Sequence, residues 1–134
     1  MNSQLEHAKG LLSKAHDDFF VVRRLAGEAD APGWVLGFHA EQALEKALKA
    51  VLSSADIAYP RTHNLVMLVE LLRKEHLPLP NAADDFGLLV PYGVVLRYEE
   101  IPEDEPPPCD PVWFVELVEQ TLLWAEECLK KGSY

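Results

Sequence analysis

Cysteine and long hydrophobic runs are both scarce in this chain. Cys109 and Cys128 are the only cysteines among 134 residues, and no CxxC pair or Cys–His spacing accompanies them. A disulfide framework, a zinc finger and a redox motif are therefore unsupported. The longest apolar stretches fall far short of the roughly 20 residues that span a bilayer, and the first residues show no basic region followed by an apolar run. We expect a cytoplasmic protein with free thiols and no membrane segment.

Positive charge is also in short supply. Twelve Lys and Arg residues face twenty-two Asp and Glu residues, which gives a formal net charge of -10. A negative chain is repelled by phosphate backbones, and this excludes a role in coating DNA. The acidic excess is concentrated between residues 99 and 110. A local basic patch elsewhere on the surface is therefore still compatible with the sequence.

Signals for β-structure are missing as well. The chain has no alternating strand pattern of useful length, no Asn-Gly or Asp-Gly hairpin turn and no internal repeat. Its 49% hydrophobic content is enough to build one ordinary core. We therefore predict a single all-α domain over residues 1–134, folded as an antiparallel up-and-down bundle of four to five helices.

Apolar residues at helical spacing locate the first three helices. The first is predicted from Leu5 to a stop near Gly27, where glycine and the turn residues after it interrupt the pattern. The second covers the segment 34–55. Thr62 is predicted to cap the third helix, because its hydroxyl can accept a hydrogen bond from a free backbone N–H of the first turn.

The second half of the chain is predicted to contain one interrupted helix and one regular helix. Residues 81–84 resemble a helix-start box, and Pro91 is expected to cause a kink or a short break in the helix that follows. The acidic, proline-rich segment 99–111 is expected to be an exposed loop. The last helix is expected to begin at Asp110, which precedes a proline, and to end near Gly132.

The second helix has two contrasting faces. One face carries small residues that would let another helix approach closely, namely Ala40, Ala43, Ala47 and Ala50. At 100° per residue the opposite arc is polar and partly basic, and it contains His39, Gln42, Lys46 and Lys49. We expect this arc to be in contact with water.

Three residues of the polar arc are candidate ligand-binding residues: His39, Lys46 and Lys49. His39 either faces a ligand across a dimer cleft or belongs to an ordinary surface or interface. The two lysines either hold a phosphate or form a solvated helix face. The sequence shows no set of metal ligands and no Gly-rich phosphate loop. We therefore expect neither a metal nor a cofactor.

Arg97 and Tyr98 complete the set of candidates. Arg97 ends an apolar helical stripe, so its guanidinium needs a partner, either a nearby acid or a ligand in a dimer cleft. Tyr98 either stacks on a base or covers the core. We expect a homodimer with Phe38, Leu96 and Arg97 at its interface, because the apolar arc of the second helix is wider than one neighbour would cover.

Three segments carry a resemblance to a known family. They are FHAEQALEKALKAVL (38–52), PRTHNLVMLVELL (60–72) and YGVVLRYEE (92–100). In order and spacing they resemble the HEPN domain of prokaryotes, and the similarity covers most of the chain. The resemblance implies an up-and-down helical bundle that commonly forms a homodimer. It also implies operation beside a small nucleotidyltransferase, often in toxin-antitoxin-like or RNA-related systems.

The motif of the RNA-cleaving members is incomplete in this chain. Those members carry an arginine followed four to six residues later by a histidine. Arg97 matches the arginine, but the residues from Tyr98 to Asp104 include no histidine. Without an imidazole the site lacks a natural general acid and base near neutral pH. The sequence therefore indicates no catalytic residue.

Three functional hypotheses follow from these observations. The first is a dimeric HEPN-like binding module that partners a nucleotidyltransferase, binds a nucleotide, or does both. The second is a diverged ribonuclease in which Arg97 positions phosphate and His39 or His63 supplies the proton. The third is a purely structural helical adaptor, which would oligomerise without binding a ligand.

Overall fold

A computed structural model describes residues 3–95 and 110–132 of the chain. Within these residues there are five α-helices, one 3-10 helix and no strand, so the all-α prediction is confirmed. The elements are α1 (Ser3–Ala26), α2 (Gly33–Ser54), α3 (Leu65–Lys74), the 3-10 helix (Ala83–Leu89), α4 (Val90–Val95) and α5 (Pro111–Gly132). No helix in this described part of the chain is both long enough and apolar enough to cross a membrane.

The three long helices form the centre of the bundle. Helix α2 packs against both α1 and α5, and α1 and α5 also pack against each other. The side chains of His16 and Glu126 connect α1 to α5. The two helices are antiparallel, because Leu12 lies near Leu129 whereas Arg23, further along α1, lies near Glu119. Helix α3, the 3-10 helix and α4 pack on the remaining sides of α2. Helix α2 is therefore the central element, and most of its residues are buried.

The ends of α1 and α5 follow the sequence signals. Helix α1 stops at Ala26, and the Gly27 N–H donates to the carbonyl of Arg24 in the turn that follows. Helix α5 starts at Pro111, where the missing N–H costs no helical hydrogen bond. The Asp110 side chain accepts a hydrogen bond from the Val112 N–H at 3.0 Å. These two predicted boundaries are confirmed.

The predicted cap of α3 is wrong by two residues. Asn64 caps this helix, since its Oδ1 accepts hydrogen bonds from the N–H groups of Val66 at 2.9 Å and Met67 at 3.4 Å. The Thr62 hydroxyl instead accepts from the Asn64 N–H at 3.0 Å. Both residue types can cap a helix, and Asn64 does so because it lies directly before the first helical residue.

The predicted fourth helix is divided in two. A 3-10 helix begins at Ala83 without a side-chain cap, so residues 81–84 do not form the expected start box. Helix α4 follows directly, and Pro91 lies in its first turn, where a helix does not use the missing N–H. The expected break is confirmed, but Pro91 helps to begin a helix instead of kinking one. Arg97 lies outside the described residues.

Close contact between α2 and α4 depends on two glycines. Gly37 of α2 lies against the ring of Tyr92, and a Cβ atom at Gly37 would overlap that ring. Tyr92 is buried and packs against Trp34 and edge-on against Phe114, with ring centroids 5.2 and 5.6 Å apart. Gly93 of α4 lies against a side chain of α2 in the same way. The two backbones can approach only because these positions lack side chains.

The alanine face of α2 leads to a stability prediction. Ala43 and Ala47 are fully buried in the core. Ala43→Leu or Ala47→Leu should lower the free energy of unfolding by about 1–3 kcal/mol, because the packed interface has no space for added methylenes. Urea unfolding followed by circular dichroism measures the change. Ala29→Leu, at an exposed turn position, is the control, and equal stability of all three variants would contradict the packing described here.

Candidate ligand-binding site on the central helix

A buried carboxylate of α1 holds two of the predicted ligand-binding residues. Asp18 lies between His39 and Lys46 of α2, with one carboxylate oxygen 2.9 Å from His39 Nδ1 and the other 2.5 Å from Lys46 Nζ. His39 and Lys46 are two helical turns apart, so they lie on the same side of α2. The Asp18 side chain is 11% exposed, which makes this a largely desolvated ion-paired cluster.

This Asp18 cluster fixes the orientation of both basic side chains. An ionised carboxylate only accepts hydrogen bonds, so His39 donates to Asp18 through Nδ1, and Nε2 is the ring nitrogen left for another partner. Nε2 accepts a hydrogen bond when the ring is neutral and donates one when the ring is protonated. Lys46 uses one of its three ammonium protons on Asp18. The side chains of His39 and Lys46 remain 28% and 25% exposed. Each can therefore still form a hydrogen bond to a molecule that approaches from solvent.

A second ion-paired cluster lies further along α2. Glu45 is almost fully buried, and its carboxylate lies 3.3 Å from Lys49 Nζ and 3.2 Å from His63 Nδ1. The Lys49 ammonium also lies over the ring of Tyr59, 5.7 Å from the centroid. His63 and Tyr59 belong to the connection between α2 and α3. These contacts attach that connection to α2, so they have a clear structural role.

A third polar group is buried beside α4. Glu41 is fully buried, and both of its carboxylate oxygens accept hydrogen bonds from Gln42 Nε2, at 3.3 and 3.4 Å. A Cβ atom at Gly93 would overlap the Glu41 carboxylate, so α4 passes directly over this acid. Glu41 therefore lies at the contact between α2 and α4.

The structure separates the sequence candidates into two groups. His39 and Lys46 share Asp18, whereas Lys49 belongs to the neighbouring Glu45 cluster. Phe38 is half-buried, and its ring contacts the His39 ring edge-on, with centroids 5.3 Å apart. Leu96, Arg97 and Tyr98 lie outside the described residues.

The expectation that the polar arc of α2 is in contact with water is only partly correct. Gln42 is buried, and the lysines and His39 are only partly exposed. The sequence predicts the pair between Glu45 and Lys49, which are four residues apart on α2, and this pair is confirmed. It does not identify Asp18, the acid of α1 that pairs with His39 and Lys46. The position of Asp18 in the sequence does indicate a buried acid, since it falls inside the apolar stripe of α1 between Ala15 and Val22. A carboxylate at such a position requires a partner.

Metal binding finds no support in the described residues. In residues 3–95 and 110–132 no group of three or more His, Cys, Asp or Glu side chains could hold a metal ion. The acids of α2 are instead paired with lysine, histidine or glutamine side chains. At the Asp18 cluster, His39 and Lys46 can form hydrogen bonds and ion pairs.

Fold and site together define an all-α helical-bundle domain with paired charged side chains on a buried central helix. Residues 7–132 match the family model of the HEPN domain. This match covers nearly all of the chain, and the chain therefore belongs to the HEPN family. Comparison with curated proteins and with solved structures gave no match.

The Asp18 cluster leads to a second stability prediction. Asp18→Asn keeps the shape of the side chain but removes the charge that pairs with His39 and Lys46. Hydrogen bonds to charged groups contribute about 1.5–3 kcal/mol, so the free energy of unfolding should fall by about that amount. The neighbouring exposed residue supplies a matched control, Asp17→Asn. Equal urea midpoints for the two variants would show that the pairs contribute nothing.

Proposed function

We propose that this chain is a dimeric HEPN-type module that binds the phosphate group of a nucleotide and works together with a nucleotidyltransferase. The observation that carries the proposal is the Asp18 cluster. It presents two basic side chains, His39 and Lys46, that are oriented by a buried carboxylate and still partly exposed. Preorganised donors lose less entropy when a ligand binds than free surface side chains do.

The charge balance favours a small ligand over a long RNA. Asp18 neutralises much of the charge of Lys46, and Glu45 does the same for Lys49. The site therefore offers a few directed hydrogen bonds and no extended basic surface. The net charge of -10 opposes the counterion-driven binding that long nucleic acids require. A single nucleotide, held at its phosphate, fits these conditions better than a polymer.

Homodimer formation is supported by the position of Phe38. Successive residues of an α-helix are about 100° apart around its axis. Phe38 therefore lies between Gly37, on the side of α2 that α4 covers, and His39, on the side that faces Asp18 of α1. Its ring is half-buried beside His39. Phe20 of α1 is 51% exposed. A two-fold contact that buries Phe38 would place a copy of the Asp18 cluster in each subunit at the edge of the interface.

Partnership with a nucleotidyltransferase is supported by family membership. A nucleotidyltransferase uses nucleoside triphosphates, so a nucleotide-binding partner would share its substrate. Purification from the native host, followed by identification of bound proteins, tests this point. Absence of a nucleotidyltransferase both from the purified complex and from the neighbouring genes would remove this part of the proposal.

The diverged ribonuclease is the second candidate, and one contact favours it. An imidazole whose Nδ1 is held by a carboxylate is the arrangement that orients a general base, and His39 has it with Asp18. This mechanism also needs a cation on the phosphodiester, the role expected for Arg97. Incubation with single-stranded and structured RNA distinguishes the candidates. Cleavage that is lost in both Arg97→Ala and His39→Ala would replace the binding proposal.

Nucleotide binding can be measured as a thermal shift. ATP should raise the melting temperature of the protein, because it binds only the folded state. Lys46→Ala should weaken ATP binding roughly tenfold through loss of one charge-assisted hydrogen bond. Adenosine, which lacks the phosphates, should give little shift. Each variant is compared with its own ligand-free melting temperature, so any loss of stability does not affect the result.

Lys74→Ala is the matched control for this experiment, since it removes an exposed lysine from α3. Equal ATP affinities for the Lys46 and Lys74 variants would contradict binding at the Asp18 cluster. A protein that shows no shift with any nucleotide but still oligomerises would support the structural adaptor.

Assembly gives a further prediction. Light scattering of dilute protein should report about twice the chain mass of 15.0 kDa, and Phe38→Asp should shift the population toward monomer. A carboxylate buried in an apolar interface has no partner there and is costly. Val112→Asp is the control, because Val112 is an exposed apolar residue on α5. A clean monomer for the unmutated protein at micromolar concentration would contradict the dimer and its interface.

A further inference from the structure

A cleft of about 280 Å³ lies at the C-terminal ends of α2 and α5. Its wall is mostly apolar and is formed by Val51 of α2, by Ala55 directly after α2, and by Leu77 and Pro78, which follow α3. Trp124 of α5 forms the facing side. A cavity of roughly 150 Å³ accepts benzene, and ligand pockets begin near roughly 300 Å³. This cleft therefore has space for a molecule of about one ring with a short substituent.

The indole N–H of Trp124 is buried and has no hydrogen-bond partner. Among the described residues no other buried side-chain nitrogen or oxygen lacks a hydrogen-bond partner. Nearly all buried polar groups in folded proteins are paired, and an unpaired donor costs free energy. Trp124 lines the cleft, and its N–H, which is out of reach of solvent in this structure, would gain an acceptor if the ring turned toward a molecule in the cleft. The described residues supply none.

The charges around the cleft indicate that this acceptor is neutral. Glu127 and Lys131 both line the cleft, one helical turn apart, and their charges oppose each other. Helices α2 and α5 both end here, and helix C-terminal ends carry partial negative charge, which disfavours an anion. Burial raises the pKa of the Cys128 thiol in the same wall, with a smaller lowering by Lys131. A weakly hydrated wall of this kind opposes a charged ligand.

We infer that this cleft is a binding site for a small, neutral, mainly apolar molecule of about one ring that carries a carbonyl or ether oxygen to accept the Trp124 N–H. Binding requires the indole to turn slightly so that its N–H meets the oxygen. The gain from pairing this buried donor favours that turn. The site lies at the C-terminal end of α2 and shares no residue with the Asp18 cluster, so it is independent of the proposed nucleotide site.

The experiment uses ¹⁵N-labelled protein and three probe molecules of similar size. The chain contains three tryptophans, Trp34, Trp113 and Trp124, and the indole signal that disappears in Trp124→Phe identifies the relevant N–H. Acetophenone carries a ring and a carbonyl, α-methylstyrene replaces the oxygen with carbon, and benzoate carries a negative charge. Acetophenone should move the Trp124 signal saturably. It should bind roughly two- to tenfold more tightly than α-methylstyrene, the range expected for one hydrogen bond, and benzoate should bind most weakly.

Variants test whether Trp124 is responsible. In Trp124→Phe the preference for acetophenone over α-methylstyrene should disappear, as judged by protection of Cys128 from alkylation in a Cys109→Ser background. Leu123→Ala, at an exposed neighbouring position on α5, should retain it. No saturable movement of the Trp124 signal, equal affinity for acetophenone and α-methylstyrene, or an unchanged preference in Trp124→Phe would each overturn the inference.

Discussion

Burial of α2 is the constraint on which the rest of the structure depends. This helix contacts α1, α5, α3, the 3-10 helix and α4, yet it carries two acids that are almost completely removed from water, Glu41 and Glu45. An isolated charge in such a position is costly. Each acid therefore has to be paired within the fold, and the pairs hold the neighbouring elements in place. His63 attaches the loop before α3 to Glu45, and Gly93 lets α4 pass over Glu41.

The same constraint determines the chemistry of the Asp18 cluster. Lys46 is only partly exposed, and the carboxylate that pairs with it comes from α1, so the cluster joins two helices as well as presenting polar groups. A pair of this kind contributes little net charge. It does hold the hydrogen-bonding groups of His39 and Lys46 in fixed directions. The proposal of a nucleotide phosphate as ligand, in preference to an RNA backbone, is based on this combination of low net charge and fixed direction.

Much of the fold could be predicted from the sequence, because apolar spacing and end signals are local properties. The limits of α1 and the start of α5 at Asp110 and Pro111 follow from such signals. The cap of α3 was placed two residues early, since Thr62 and Asn64 are both suitable residue types and only the backbone decides between them. The expectation of a solvated face on α2 is only partly correct, for a different reason. A helical projection shows which residues share a side, but it does not show that a second helix covers that side.

The candidate site was predicted only in part, and the reason is again physical. His39 and Lys46 were identified on α2, but their partner Asp18 comes from another helix, at a distance in sequence that no local pattern encodes. The packing of α4 shows the same limit. Gly37 receives the ring of Tyr92, and Gly93 receives the carboxylate of Glu41, so each helix supplies a gap for a side chain of the other. A glycine read from sequence alone suggests a weak point in a helix, whereas here the two glycines fix the distance between α2 and α4. That distance keeps α4 on the Gly37 side of α2, whereas Phe38 and the Asp18 cluster lie on neighbouring sides of the helix.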